Sequence, residues 1–362
     1  MRATEKQMKR AQRVGTGIVG AVTLAFVAIT FLSTPAMAAA ANVYVVTPLV
    51  SDNGVPGTTV DPNLVNAWGL VAGPTTPWWV ADNGADMSTL YTAAGAKLSL
   101  EVGVSAAPTG AVFNGNSAAF HLASGATARF IFSTEEGKIL GWAPGTTAAV
   151  VQVDSSEGGA VYKGLAIATT GAGPMLYATD FINARVDVFD GSWAPVTTAG
   201  GFMDSGLPAD YAPFGIQTIG DRIFVTFAKQ SGGNDELHGQ GFGFVDAFDT
   251  AGNLLARVAQ HGQLNAPWGL AMAPDNFGRF SGDLLVGNFA DGHINAYQEL
   301  ANGHFAYRGA LSLGNDVPVA IDGLWAIQFG HGAANNGPTN TLFFTAGPND
   351  EADGLFGTIT AA

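Results

Sequence analysis

Cysteine is absent from the 362-residue chain. This absence excludes a disulfide-stapled fold, a cysteine-ligated zinc or iron–sulfur site, and a cysteine nucleophile. Positive charge is scarce, because 15 lysines and arginines stand against 29 aspartates and glutamates, for a net charge of −14. Proteins that bind nucleic acids need clustered basic residues to neutralise phosphates, so that class is not expected. Apolar residues, at 47%, are too abundant for a disordered chain.

The first forty residues have the organisation of a secretory signal peptide. Five basic residues precede or open an apolar stretch over residues 14–32, and Ala36 and Ala38 form a small-residue cleavage motif. The pattern predicts removal of residues 1–38 and an extracytoplasmic location, secreted or periplasmic. The alternative is an uncleaved N-terminal anchor, since the apolar stretch is nearly long enough to span a bilayer. No membrane span is expected after cleavage.

The rest of the sequence repeats a pattern of short strands about every fifty residues. Each unit opens with a glycine among apolar residues, and these glycines are Gly69, Gly164, Gly215, Gly269 and Gly323. The first interval is double the others, so a further unit is expected to begin near Gly110. The strands are rich in β-branched and aromatic residues and are bounded by Gly, Asn, Asp and Pro. Six such units predict an all-β fold, a single six-bladed β-propeller domain over residues 42–362.

The two ends of the chain indicate how this ring closes. Residues 43–50 form a strand that precedes the first unit, and the sixth unit ends at its third strand. The N-terminal strand is therefore expected to pair with the last blade as its outer strand, which removes a raw sheet edge. An open β-sandwich array, two smaller domains, or five or seven blades are the alternatives.

Family resemblances add to this prediction. The segments 267–271, 284–288 and 292–297 resemble NHL-repeat propellers, and residues 61–70 with 79–84 resemble an uncharacterised family of bacterial exported proteins. This resemblance implies an NHL-like propeller outside the cytoplasm and assigns no activity. More distantly, the chain is similar to the gluconolactonase and senescence-marker propellers, which hold one divalent cation and hydrolyse lactones.

Candidate site residues gather where the first strand of a unit begins and the second ends, since both positions lie on one face of a propeller. Candidate ligand-binding residues are Asn66, Trp68, Lys163, Lys229, Trp268 and Asp322. The resemblance to lactonases implies Ca²⁺ or another divalent cation, for which carboxylate and amide oxygens are suitable ligands. The candidate metal ligands are Asp82, Glu135, Asp180 and Asn288. Alternatively, these residues form turns by bonding their own backbone, and most tryptophans pack between blades.

Two polar segments lie outside this set. The insertion at 230–241 falls on the same predicted face, and its Asp235, Glu236 and His238 are candidate ligands or parts of a lid, or else belong to a disordered excursion. The acidic segment 350–354 lacks the spacing of an EF-hand and is expected to be an exposed hairpin.

We therefore expect a ligand-binding or protein-interaction module with its site at the channel mouth. Its partner would be an unknown small molecule or a protein of the cell envelope or extracellular space, and the protein would be a monomer. The alternative is a divalent-metal-dependent hydrolase of lactones or esters that uses a ring of carboxylates and amides. A lyase similar to streptogramin-inactivating propellers is a third hypothesis, although those have seven blades and a histidine-containing site.

Overall fold

Short strands separated by turns build six antiparallel sheets in a computed structural model that describes residues 41–362. The predicted signal peptide lies outside the described residues. The first strand of each sheet packs against the first strand of the next, and that of the sixth sheet packs against that of the first. The sheets therefore form a closed six-bladed β-propeller around a central channel, which confirms the predicted fold.

Every blade has four strands, which follow one another from the channel outwards. Blade one consists of Ala67–Val71, Trp78–Asp82, Met87–Tyr91 and Val102–Gly103. Blade two consists of Pro108–Phe113, Phe130–Thr134, Lys138–Trp142 and Val150–Asp154. Blade three consists of Tyr162–Thr170, Gly173–Asp180, Arg185–Asp190 and Pro195–Val196. Blade four consists of Tyr211–Ile219, Arg222–Gln230, Phe244–Phe248 and Leu254–Gln260. Blade five consists of Pro267–Met272, Leu284–Asn288, Ile294–Glu299 and Phe305–Ala310. Blade six consists of Leu324–Phe329, Leu342–Ala346, Leu355–Ala361 and Tyr44–Ser51.

The remaining elements are short. Two-residue strands lie at Thr59–Val60 and Glu236–Leu237, and a small hairpin pairs Ser312–Gly314 with Val317–Pro318. Single turns of 3₁₀ helix are Asn83–Ala85, Ser156–Gly158 and Gly278–Phe280. Among the helices of residues 41–362, none is long and apolar enough to cross a membrane.

The N-terminal strand closes the ring as predicted. Tyr44–Ser51 runs antiparallel to Leu355–Ala361, from the pair Tyr44 with Ala361 to the pair Ser51 with Leu355. A bulge interrupts the register between Pro48 and Val50. The last blade thus joins the first and last strands of the described residues and buries an edge that would otherwise be exposed.

The glycines of the inner strands allow neighbouring blades to approach at the channel. A Cβ atom on Gly69 would lie 2.3 Å from the carbonyl oxygen of Thr109, and one on Gly215 would lie 2.1 Å from that of Trp268. Side chains are therefore excluded at these positions by the backbone of the next blade. The second unit begins at Pro108, close to the expected Gly110.

Blade six departs from the expected alignment. Gly323 precedes the inner strand and has a positive φ of 63°. Leu324 pairs with the second strand as Ala67 does in blade one, so Ala326 takes the place of Gly69. In this blade the position that contacts the next blade is thus three residues later than the repeated glycine predicts, because Gly323 lies in a turn.

Candidate functional site

Side chains from five blades meet at the end of the channel where the inner strands begin. They come from the starts of inner strands and from the turns after second strands, as the topology predicts. We call this set the mouth cluster, and its members are Asn66, Asn83, Glu135, Lys163, Asp235, Glu236, His238 and Glu351.

A continuous hydrogen-bonded chain joins the cluster across four blades. The Asn66 amide donates to the Glu351 carboxylate at 2.6 Å and to the Asn83 carbonyl at 3.2 Å. The Asn83 amide donates to one oxygen of Glu135 at 3.0 Å, and the Lys163 ammonium donates to the other at 2.6 Å. Both carboxylates are therefore bound by nitrogen donors of the protein itself.

Lys163 is the centre of positive charge in the cluster. Its side chain is only 2% exposed, and its ammonium lies 3.7 Å from Asp235 and 5.1 Å from the centre of the Trp68 ring. Burial acts to lower the pKa of Lys163, but attraction to the carboxylates of Glu135 and Glu236 outweighs it and raises the pKa. Lys163 thus serves as a fixed cation and not as a base.

The 230–241 segment folds over this end of the channel as a short hairpin. Glu236 pairs with Gln230 in register, and Asp235 and Glu236 thereby reach the neighbourhood of Lys163. His238 lies 3.2 Å from the Glu236 carboxylate, which raises the pKa of the imidazole. Its ring also meets Phe289 edge-on at 5.5 Å. The segment therefore packs against the site.

Glu351 reaches the mouth through a left-handed turn. Asn349, Asp350 and Glu351 have successive positive φ values of 59°, 52° and 65°. Burial and the nearby Glu236 carboxylate raise the pKa of Glu351, while the hydrogen bond from Asn66 acts against the rise. The prediction of an exposed hairpin is thus wrong at Glu351, because the left-handed backbone turns this side chain inward.

Aromatic rings form the floor beneath the polar layer. Trp68 stacks on Trp325 at 3.7 Å between ring centres, and Trp325 stacks on Phe289 at 4.0 Å. The Trp325 indole donates to the Asn66 side-chain oxygen at 2.9 Å, and the Trp268 indole donates to the Lys163 carbonyl at 2.9 Å. The floor therefore fixes the positions of Asn66 and Lys163.

The other two candidate ligand-binding residues stand apart from this chain of contacts. Lys229 forms an ion pair with Asp210 at 3.2 Å and lies 4.7 Å over the Phe242 ring. Asp322 is exposed and accepts the backbone N–H of Asn349 at 2.9 Å. Both lie near the same end of the channel without bonding to the mouth cluster.

The four candidate metal ligands are not brought together. Asp82 is buried and accepts the Thr89 N–H at 2.8 Å, Asp180 accepts a backbone N–H at 3.2 Å, and Asn288 donates to a backbone carbonyl at 2.7 Å. Within residues 41–362, no three His, Asp or Glu side chains are grouped to hold a metal ion. Since Glu135 is bound by an ammonium and an amide, the donor set does not fit a divalent cation.

Comparison with known proteins identifies a relative that covers most of the chain. No family model matches the chain. The uncharacterized protein R648 of Acanthamoeba polyphaga mimivirus is 30% identical over 328 residues, which cover 86% of this chain and 78% of R648. The chain belongs to the family of R648. This relative is viral, whereas the sequence resemblance implied a family of bacterial exported proteins.

Solved structures support the fold alone. A streptogramin B lyase aligns with a TM-score of 0.52 at 11% identity, covering 88% of this chain and 98% of the lyase. A PQQ-bound aldose sugar dehydrogenase from Streptomyces coelicolor aligns with a TM-score of 0.51 at 14% identity, covering 89% of this chain and 99% of that one. A calcium-binding regucalcin from Agrobacterium tumefaciens gives a TM-score of 0.49 at 9% identity, covering 83% and 92%. These identities are too low to transfer a reaction.

Two members of the mouth cluster were not candidate site residues from sequence. Asn83 follows a strand ending in Asp82, and the neighbouring aspartate is the stronger ligand by residue type. Glu351 lies among turn-forming residues whose left-handed geometry has no sequence signal beyond Asn349 and Asp350. The six turns after second strands offer Asn83 beside Asp82, but at the sixth turn they point to Asn349 and Asp350 and not to Glu351.

Proposed function

We propose that this propeller binds a small cationic ligand at the mouth cluster, outside the cytoplasm. The observation that carries the proposal is the convergence of side chains from five blades on one buried lysine. Four carboxylates, those of Glu135, Asp235, Glu236 and Glu351, face one ammonium and one histidine. The excess of negative charge favours an ammonium or guanidinium group over an anion.

Turn formation does not explain this arrangement. A turn residue bonds its own backbone a few positions away, as Asp180 does. The mouth cluster instead joins residues far apart in sequence, such as Asn66 with Glu351. Burying a lysine is costly unless it is paired, so the fold must supply carboxylates merely to hold Lys163 in place. Such a preformed polar layer is typical of a binding site.

A ligand would enter from the side that the 230–241 hairpin covers. The Asp235 side chain is 84% exposed and the Glu236 side chain 5% exposed, so the hairpin places one carboxylate at the solvent-facing rim of the site and one within it. An ammonium of the ligand would bind the carboxylates that Lys163 leaves unpaired. The hairpin would then act as a lid held by charge.

The metal-dependent hydrolase is the weaker candidate. The carboxylates already accept hydrogen bonds from Asn66, Asn83 and Lys163, and a divalent cation would have to displace a buried ammonium at 2.6 Å from Glu135. None of the contacts described for residues 41–362 favours that exchange.

Isothermal titration calorimetry with a charge series tests the proposal. Spermidine and propylamine are the cationic probes, propanol and propionate are the neutral and anionic ones, and CaCl₂ with an EDTA control tests the metal alternative. We expect binding of the amines alone, weakened at least tenfold in Glu236→Gln and Glu351→Gln, which remove carboxylates that Lys163 does not pair with directly. Asp316→Asn, which changes an exposed aspartate elsewhere, is the matched control and should bind as the parent does. Equal heats for propanol and propylamine, or a calcium response abolished by Glu135→Gln, would overturn it.

The location outside the cytoplasm has its own test. Mass spectrometry of the protein recovered from a secreting host should find a chain that starts at Ala39, because cleavage is predicted after Ala38. A chain that retains residues 1–38 in the soluble cytosolic fraction would refute export and leave the binding proposal untouched.

A further inference from the structure

A second concave surface lies between blades one and two, beside the connection that joins the first two strands of blade one. That connection is at the opposite end of the channel from the mouth cluster. The groove has a volume of about 630 Å³. This volume falls within the range of about 300–1,000 Å³ that small-molecule pockets occupy.

The groove is walled by stacked aromatic rings. Trp79 stacks on Phe130 at 3.9 Å between ring centres and meets Trp142 at 4.7 Å. Phe113 continues this wall at 5.3 Å from Phe130. Leu98 and Leu100 from blade one line the same groove and are half-buried. The rings of Trp79, Phe130 and Trp142 are only 3–6% exposed, so Phe113 and the two leucines supply most of the apolar surface that a ligand could contact.

Arg129 is the one charged residue lining this groove. Its guanidinium lies 5.2 Å over the Phe113 ring. Its side chain forms no hydrogen bond or ion pair with any residue from 41 to 362, and of the other lysines and arginines in that range only Arg279 also lacks an ion pair. In a chain of net charge −14, a guanidinium left without a carboxylate is free to bind an anion from outside.

We propose that this groove binds a small amphipathic carboxylate, whose apolar or aromatic body lies against Phe113 and the two leucines and whose carboxylate pairs with Arg129. The shape and the charge favour this class over others. An ammonium would be repelled by Arg129, and a polyanion would be repelled by the acidic surface of the whole protein. An apolar body with one carboxylate satisfies both the aromatic wall and the single cation.

A fluorescence displacement assay tests this site without any variant. The probe is 8-anilinonaphthalene-1-sulfonate, an aromatic anion that gains fluorescence in apolar sites. Its competitors are 3-phenylpropionate, 3-phenylpropanamide and 3-phenylpropylamine, which differ in charge and little in shape. We expect one probe molecule per chain, displaced by the carboxylate at a concentration about tenfold lower than by the amide, as one charge-assisted hydrogen bond predicts.

Three variants locate the site. Arg129→Gln should weaken probe binding about tenfold, and Leu100→Glu should weaken it at least as much by placing a carboxylate at the groove. Arg279→Gln is the matched control, because Arg279 also lacks an ion pair but lies 5.8 Å over Phe280 in blade five. It should leave binding unchanged, as should Glu135→Gln at the mouth cluster. Circular dichroism confirms that each variant is folded.

Three results would overturn the proposal. If the amide displaced the probe at the same concentration as the carboxylate, Arg129 would not contribute to binding. An equal loss in Arg129→Gln and Arg279→Gln would show nonspecific attraction of anions. Absence of probe binding to the folded parent protein would show that the groove takes no such ligand. None of these outcomes bears on cation binding at the mouth cluster, so the two proposals fail independently.

Discussion

Replacing Tyr44 by alanine tests whether the N-terminal strand holds the ring together. Tyr44 is 1% exposed, and it lies in the outer strand of blade six. Its ring stacks on Phe280 at 6.1 Å and meets Phe277 at 5.0 Å, both in blade five. Its hydroxyl donates to the Phe277 carbonyl at 3.0 Å and accepts the Phe280 N–H at 3.3 Å. One side chain thus joins the closing strand to a neighbouring blade.

The expected loss follows from these contacts. Deleting a buried aromatic ring costs about 3–5 kcal/mol, from lost burial and the cavity left behind. Removing the hydroxyl alone, as in Tyr44→Phe, leaves two buried backbone groups without their hydrogen-bond partner and costs about 1–3 kcal/mol. For a domain of this size each kcal/mol lowers Tm by about 2 °C. Tyr44→Ala should therefore lower Tm by about 6–10 °C, and Tyr44→Phe by about 2–6 °C.

Thermal unfolding followed by circular dichroism, with urea titration as a second measurement, gives these values. Val45→Ala is the control, because Val45 is the next residue in the same strand and is 48% exposed. It should change the free energy of unfolding by about 0.5 kcal/mol or less. If Val45→Ala cost as much as Tyr44→Ala, the loss would not come from the buried contacts of Tyr44. If Tyr44→Ala melted within about 2 °C of the parent, the closing strand would not hold the ring together. Deleting residues 42–50 should then also be harmless, whereas closure predicts a large loss.

Three further predictions concern the mouth and the channel. Glu351→Gln should raise Tm at pH 7 and lose this advantage near pH 4, because the raised pKa of Glu351 means that its charge destabilises the fold above its ordinary pKa of 4.5 and not below. Lys163→Met should cost about 3 kcal/mol, because it leaves the Glu135 carboxylate without its ammonium, and adding Glu135→Gln should restore part of that loss. Gly215→Ala should cost about 1–3 kcal/mol or more, because the new Cβ would lie 2.1 Å from the carbonyl oxygen of Trp268.

Melting curves check all three predictions, and for each one a specific result would contradict it. A Glu351→Gln protein that melts below the parent at pH 7 would show that the charge stabilises the fold. A Lys163→Met loss that Glu135→Gln deepens would deny their pairing. For the glycine, Gly171→Ala is the control, since nothing lies within 4 Å of a Cβ there. Equal effects at Gly215 and Gly171 would refute the close approach of inner strands.

The fold was predictable because short strands and inner-strand glycines recur along the sequence at a nearly constant spacing. Each inner-strand glycine marks a contact between blades. Once six units are counted, the strand at 43–50 can complete only the last blade, which otherwise has three strands. Blade six shows the limit of this reasoning. Gly323 matches the glycine pattern of the repeat, but it lies in a turn. Only the pairing of Leu324 with Ala346 shows which residues form the inner strand. Register is a property of strand pairs, which a pattern along one strand does not contain.

The candidate site was predictable in position and only partly in composition. Asn66, Glu135 and Lys163 follow from the rule that strand starts and second turns share a face. Asp82 and Asp180 satisfy the same rule, yet their side chains turn back onto backbone N–H groups. Whether a carboxylate at a strand end faces the channel or the blade depends on side-chain direction, which alternates with each residue.

Backbone strain at the mouth bears on why Glu351 is there. A non-glycine residue in the left-handed region costs about 1–2 kcal/mol, and Glu351 has a φ of 65° after two residues that are also left-handed. Its carboxylate is in addition buried near Glu236, which raises its pKa. A glycine would relieve both costs and keep the turn, so the stability of the fold gives no account of this side chain. A cationic ligand does, because it would bind the one carboxylate of the hydrogen-bonded chain that Lys163 does not neutralise directly. Strained backbone that holds a desolvated charge towards a shared polar layer therefore supports the proposed cation site.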